Sequence, residues 1–149
     1  MKTKPILLLF TVSLFVVSII LSSFRPRSGD EPWRPDQLMD PAELARIIID
    51  PQAPQPVLLS IGPAAVIKNS IDIGATNDKA NLERLRVELD KLSRETDVVI
   101  YCGCCPFKSC PNIRPAFSLM NEMKFERHKL LNLPKNIKVD WIDKGYPMN

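Results

Sequence analysis

The chain has 149 residues, a length typical of one domain, and its 20 basic and 17 acidic residues give a formal charge of +3. Two of the basic residues, Lys2 and Lys4, precede an apolar N-terminal run, so the rest of the chain is nearly neutral. Aromatic residues make up only 7%, and no basic stripe exists, so the composition gives no argument for a nucleic-acid partner. It is typical of a soluble globular domain.

The first 24 residues have the layout of an export segment, because Lys2 and Lys4 precede an uncharged apolar run of roughly 20 residues. A helix of that length spans about 30 Å, enough to cross a bilayer. We therefore predict a signal peptide or an N-terminal membrane anchor over residues 1–24. The domain is then exported, either periplasmic or tethered to the outer face of the cytoplasmic membrane. Arg25 and Arg27 leave open a third arrangement, in which the domain faces the cytoplasm.

Beyond this segment, a polar stretch with three prolines at 25–35 is predicted to be a linker, and the folded domain is predicted over 36–149. In that region, apolar runs alternate with amphipathic patterns, which favours an α/β fold with a parallel sheet covered on both faces. The predicted elements are a helix at 40–50, a strand at 57–61, a helical turn at 64–68, an extended segment at 71–75, a helix at 78–93, a strand at 97–101, a helix from about 112 to 123, a strand at 129–133 and a helix at 136–144.

All four cysteines of the chain lie in one short loop directly after the strand predicted at 97–101. They are Cys102, Cys104, Cys105 and Cys110. Cysteines used only for packing would be scattered, so this cluster indicates sulfur chemistry or a metal at one site. The loop joins the carboxyl end of a strand to a helix N-terminus, where parallel sheets bind ligands. The helix dipole and Lys108 both favour a thiolate there.

At these residues the sequence resembles the rhodanese-like sulfurtransferases. The likeness rests on Tyr101-Cys102 after the apolar strand, and on Trp141 followed by Gly-Tyr-Pro at 145–147. The segments 57–60 and 71–75 are similar to the family's first central strand and to the short segment that follows it. The resemblance covers roughly residues 36–147, and it implies a central parallel sheet of about five strands flanked by helices.

The resemblance also implies the chemistry. Cys102 would be the nucleophile that takes up sulfane sulfur as a persulfide and passes it to a thiol or another nucleophilic acceptor. Gly103, Lys108, Ser109 and Arg114 are then candidates for substrate binding. The predicted partners are a small sulfur-containing substrate or thiol acceptor, and the membrane if segment 1–24 is retained.

The three additional cysteines are possible resolving or redox partners of Cys102. The C-x-x-C spacing of Cys102 and Cys105 suits a thiol–disulfide redox protein. In an oxidising compartment the cysteines could instead be closed as disulfides, in any of three pairings, of which the one containing Cys104–Cys105 is the least favourable. The domain would then be a non-catalytic binding module. Ser60-Ile61-Gly62, where the family commonly carries Asp-x-Arg, favours this alternative.

A metal site is a further alternative, since four thiolates can hold zinc or Cu(I). However, four ligands within nine residues, two of them adjacent, are difficult to arrange as a tetrahedral cage. We therefore predict no metal and no other cofactor.

Overall fold

The computed structural model describes residues 31–149, so the predicted export segment 1–24 and the first part of the predicted linker lie outside the described residues. Within residues 31–149, no helix is both long enough and apolar enough to cross a membrane.

A five-stranded, all-parallel sheet lies at the centre of the described region. Its strands are β1 (Leu38–Met39), β2 (Val57–Ser60), β3 (Ile71–Asp72), β4 (Val98–Tyr101) and β5 (His128–Leu131). They are ordered β1–β5–β4–β2–β3, so β4 is the central strand. The predicted α/β class with a central parallel sheet of about five strands is therefore confirmed.

Four helices accompany the sheet in the described part of the chain. They are α1 (Pro41–Ile49), α2 (Lys79–Asp90), α3 (Ile113–Glu122) and α4 (Ile137–Asp140). The predicted start of α1 is confirmed, because Asp40 accepts hydrogen bonds from the backbone N–H groups of Ala42 (2.8 Å) and Glu43 (3.2 Å), and Pro41 follows as the first helical residue.

Helices cover both faces of the sheet, and alternating strand residues point into two separate cores. One core lies under α2 and α3 and includes Ile100 and Cys102. The other lies under α1 and the C-terminal segment, and it includes Tyr101 and Trp141. Trp141 is fully buried in this second core, and its indole N–H donates to the carbonyl of Pro147 at 3.0 Å.

Two local predictions differ from the structure, and one strand was not predicted. The segment 64–68 forms no helical turn; Ile67 instead makes an antiparallel bridge to Met148. β1 was not predicted, because two residues carry no detectable periodicity. The last predicted helix, 136–144, is interrupted at Trp141, whose φ of −132° and ψ of −62° separate α4 from a 3-10 turn at Ile142–Lys144.

The packed domain also begins earlier than residue 36. Trp33, which lies in the predicted linker, is only 7% exposed. Its ring packs against Phe107 and Phe117, with ring centroids 5.9 and 5.8 Å away. Residues 31–35 therefore belong to the fold, and the predicted linker is too long at its C-terminal end.

Candidate active site

The cysteine loop begins at the carboxyl end of a strand, as the sequence predicts, and that strand is the central β4. Cys102 directly follows β4 and is 1% exposed, with its side chain in the core under α2 and α3. The loop then passes through a 3-10 turn at Phe107–Ser109 and reaches Cys110, which is also buried, shortly before α3 begins. Both ends of the loop are thus anchored by regular structure.

Gly62 allows the neighbouring loop to approach Cys102. Gly62 lies two residues beyond the end of β2. A hydrogen bond from the Ile61 N–H to the Tyr101 carbonyl (2.9 Å) keeps this segment beside the end of β4. A Cβ on Gly62 would lie 2.9 Å from the Sγ of Cys102, which is closer than real contacts allow. The sequence contained a signal for this residue, a glycine at the end of an apolar strand, but its role was not predicted.

Three sulfur atoms of the loop meet. The Sγ atoms of Cys102, Cys104 and Cys110 all lie within 4.8 Å of one another, and we call this group the three-sulfur cluster. The Sγ of Cys104 is 3.4 Å from that of Cys102 and 3.1 Å from that of Cys105. These separations are well above a disulfide bond of about 2.05 Å, and all four cysteines are free thiols in this structure. Cys104 is exposed, and the half-buried Cys105 contacts the cluster through Cys104 but is not one of the three grouped sulfurs.

A buried amide also points at the sulfur of Cys102. The Nδ2 of Asn112 donates to Cys102 Sγ at 3.3 Å, while its Oδ1 accepts from the backbone N–H of Asn77 at 3.1 Å. The hydroxyl of Thr76 donates to the Asn112 carbonyl at 2.6 Å and holds the residue from a third side. Asn112 was not predicted, because nothing in its sequence context distinguishes it from any residue that precedes a helix.

These donors favour the charged form of Cys102. Its pKa is lowered to about 5, chiefly because the thiol of Cys110 donates to it, and then because Asn112 and the backbone N–H and thiol of Cys104 do so, against the opposing effect of burial. The pKa of Cys104 is raised to about 12 by partial desolvation of its sulfur, although the residue is exposed, and by hydrogen bonds with the neighbouring thiols. The pKa of Cys110 is raised mainly by its hydrogen bond to Cys102. These shifts favour a thiolate at Cys102, with the thiols of Cys104 and Cys110 as its neighbours.

The remaining predicted site residues shape the loop and do not surround the sulfur. Gly103 lies against α4: its carbonyl accepts from the Ile137 N–H at 3.1 Å, and a Cβ would lie 2.7 Å from the Cβ of Ile137. Ser109 is exposed and donates to the carbonyl of Pro106 at 3.2 Å. The side chain of Lys108 is exposed as well, with its Nζ 6.0 Å from the ring centroid of Phe107.

Arg114 is engaged in holding the N-terminal segment. It forms an ion pair with Glu31 at 2.6 Å, donates to the carbonyl of Lys108 at 2.9 Å and lies over the ring of Trp33 at 5.5 Å. Its guanidinium is therefore occupied by protein groups, which leaves little of it for an anionic substrate.

A cavity of about 220 Å³ opens elsewhere on the carboxyl edge of the sheet, lined by residues that include Asp40, Asn132, Lys144 and Tyr146. It contains no cysteine, so it is separate from the sulfur site.

Comparisons of the chain with protein-family models, with curated proteins and with solved structures give no match. The chemistry of the site is therefore inferred from its own residues.

Proposed function

We propose that this domain is a rhodanese-like sulfurtransferase that carries sulfane sulfur as a persulfide on Cys102. The observation that carries the proposal is the position of Cys102 Sγ at the carboxyl end of the central strand, with the Asn112 amide donating to it at 3.3 Å. The N-terminus of α3 follows the same loop and supplies a partial positive charge. The parallel sheet and the buried Trp141 support the same family resemblance.

In the proposed first half-reaction, the Cys102 thiolate attacks the terminal sulfur of a sulfane donor. A new Sγ–S bond forms, the donor's S–S bond breaks, and the electron pair leaves with the shortened donor. In the second half-reaction, an acceptor thiolate attacks the outer sulfur and becomes a persulfide, while Cys102 leaves as a thiolate. No net oxidant or reductant is consumed.

A thiol persulfide or hydropolysulfide, whose leaving group is a singly charged thiolate or hydrosulfide, fits this site better than thiosulfate. Thiosulfate transfer leaves a doubly charged sulfite, which needs a positively charged group nearby. Ser60-Ile61-Gly62 offers no such group, and Arg114 is paired with Glu31. Lys108 is the remaining candidate cation, and its exposed Nζ lies 6.0 Å from the Phe107 ring centroid. A small linear donor also suits a sulfur that is almost fully buried.

The test is the intact mass of the full chain in mild detergent, reduced and freed of metal, before and after incubation with polysulfide and with thiosulfate. We expect a gain of about 32 Da, one sulfur atom, localised to Cys102. Cys102→Ser should gain none, and the matched variant Cys105→Ser should gain as much as the wild type. Sulfur loading retained in a folded Cys102→Ser variant would refute the proposal.

A second candidate function is thiol–disulfide exchange. The observation that favours it is the 3.4 Å separation of Cys102 Sγ from the exposed Cys104 Sγ, so Cys104 replaces Cys105 as the partner with the best geometry. If the domain exchanges disulfides, its intact mass should fall by about 2 Da in glutathione buffers of increasing oxidation, because two thiols lose their hydrogens. A dithiol should reverse this loss. A disulfide-locked binding module, in contrast, would resist alkylation at all four cysteines until it is reduced.

A further inference from the structure

The three-sulfur cluster has a geometry that sulfur transfer does not require. A persulfide needs one nucleophilic sulfur, yet the fold brings three together from separate points of the loop. We propose that the three-sulfur cluster is also a binding site for a single soft d10 cation, Cu(I) or Zn(II), held by three thiolates. This site is a function beyond the proposed sulfur transfer, and it does not depend on it.

The sulfur separations match the bond lengths of such an ion. Metal–sulfur bonds of about 2.3 Å place three ligands about 4.0 Å apart in a plane and about 3.8 Å apart in a tetrahedron. The three Sγ atoms lie within 4.8 Å of one another, with Cys102 and Cys104 at 3.4 Å. Side-chain adjustments of less than about 1 Å therefore complete the site.

The sequence argued against a metal site because a cage of four closely spaced thiolates is difficult to form, and the structure removes this objection. Four ligands in nine residues are difficult to close because Cys104 and Cys105 are adjacent. In the structure only Cys104 of this pair belongs to the cluster, and the third ligand, Cys110, returns through the 3-10 turn at Phe107–Ser109. The loop thus presents a three-ligand site in place of the four-ligand cage.

Two of the ligands are positioned before any ion arrives. Cys102 follows β4 and Cys110 precedes α3, and both side chains are buried. Cys104 is exposed and can close over the ion from the solvent side. Two buried ligands held by regular structure and one exposed ligand at the entrance make a preorganised metal site.

The donor set selects the class of ion. Within residues 31–149, the grouped ligands at this point are sulfur only, with no carboxylate or imidazole among them. Thiolates favour Cu(I) and Zn(II) over Mg²⁺ and Ca²⁺, which prefer oxygen. The Asn112 amide, which donates to Cys102 Sγ, is the kind of outer hydrogen bond that orients a metal-bound thiolate.

The experiment uses the full chain in mild detergent, fully reduced and anaerobic. Samples are loaded with Cu(I) or with Zn(II), challenged with a competing chelator and desalted, and the bound metal per chain is measured by mass spectrometry. X-ray absorption of the loaded protein then reports the ligand type. The variants are Cys104→Ser, Cys110→Ser and the matched control Cys105→Ser, each checked for folding by circular dichroism.

We expect one ion per chain in the wild type and in Cys105→Ser, with sulfur ligands at about 2.3 Å. Cys104→Ser and Cys110→Ser should retain the ion at least roughly tenfold more weakly. Retention of Cu(I) identifies a three-coordinate site, and retention of Zn(II) alone identifies a zinc site with water as the fourth ligand. Both results support the proposal.

The proposal is overturned if the reduced wild type retains neither ion. It is also overturned if Cys105→Ser weakens retention as much as Cys104→Ser does. Because Cys104 is exposed, its variant remains informative even if the buried Cys110→Ser variant fails to fold. Metal retention is measured directly, so failure of the sulfurtransferase proposal leaves this test unaffected.

Discussion

Gly62 marks the closest approach between the loop after β2 and the cysteine loop after β4. A Cβ at this position would lie 2.9 Å from Cys102 Sγ, 3.3 Å from the backbone nitrogen of Gly103 and 3.4 Å from the Cα of Cys102. Optimal contacts are about 3.5–4.0 Å, so the methyl group of Gly62→Ala overlaps the sulfur most of all. Because Cys102 directly follows a central strand, its backbone cannot easily retreat.

We expect Gly62→Ala to cost about 1–3 kcal/mol of unfolding free energy, the range for overpacking a core. An opposing gain of about 0.4–1 kcal/mol arises because alanine restricts the unfolded chain. In a Cys102→Ala background the sulfur is absent, so the same methyl should cost less than about 0.5 kcal/mol. The unfolded-chain gain is equal in both backgrounds and cancels, which leaves a coupling energy of about 0.5–3 kcal/mol.

The assay is urea unfolding of the wild type, the two single variants and the double variant, reduced and metal-free, followed by tryptophan fluorescence. Trp33 and Trp141 are both buried in the domain, so the signal reports on both faces of the sheet. If the two substitutions are additive within about 0.5 kcal/mol, the methyl does not press on the sulfur and the reasoning is wrong.

Three further predictions follow from other parts of the fold. Trp33→Ala should cost about 3–5 kcal/mol in the same urea assay, because it empties a buried aromatic site; a loss below about 1 kcal/mol would show that residues 31–35 are a linker after all. The pKa of His128 is lowered mainly by burial, against a hydrogen bond with the Phe125 carbonyl that raises it. Below about pH 6.5, His128 therefore binds a proton in the unfolded chain but not in the folded protein. The free energy of unfolding consequently falls as the pH falls toward the pKa of the folded state. His128→Gln should flatten this decline between about pH 7 and pH 5, and an unchanged slope would contradict the assignment. Finally, protein loaded with Cu(I) or Zn(II) should gain no sulfur from polysulfide until a chelator removes the ion, because both uses need the Cys102 thiolate; a simultaneous gain of sulfur and retention of metal would contradict this.

The regular elements were largely predictable because their signals are local. Asp40 and Pro41 predict the start of α1, because the first has a capping side chain and the second has a fixed φ. The continuous apolar residues of β4 indicate a buried strand. Segment 64–68 was wrongly predicted because its partner, Met148, is distant in the chain, and no local pattern contains that bridge. The burial of Trp33 was missed for the same reason, since its contacts are with Phe107 and Phe117.

By itself, the sequence determined that one loop at the carboxyl end of a buried strand contains all four cysteines, because a continuous apolar run and the spacing of residues are local properties. Only the tertiary structure decided which sulfur atoms meet. The Phe107 N–H bonds to the Leu133 carbonyl at 3.2 Å, and Trp33 packs on the Phe107 ring; both contacts hold the turn beside Cys110 in place. Asn112 reaches Cys102 only because its other groups are tied to residues 76 and 77. Such contacts join residues far apart in the chain, and no sequence period encodes them.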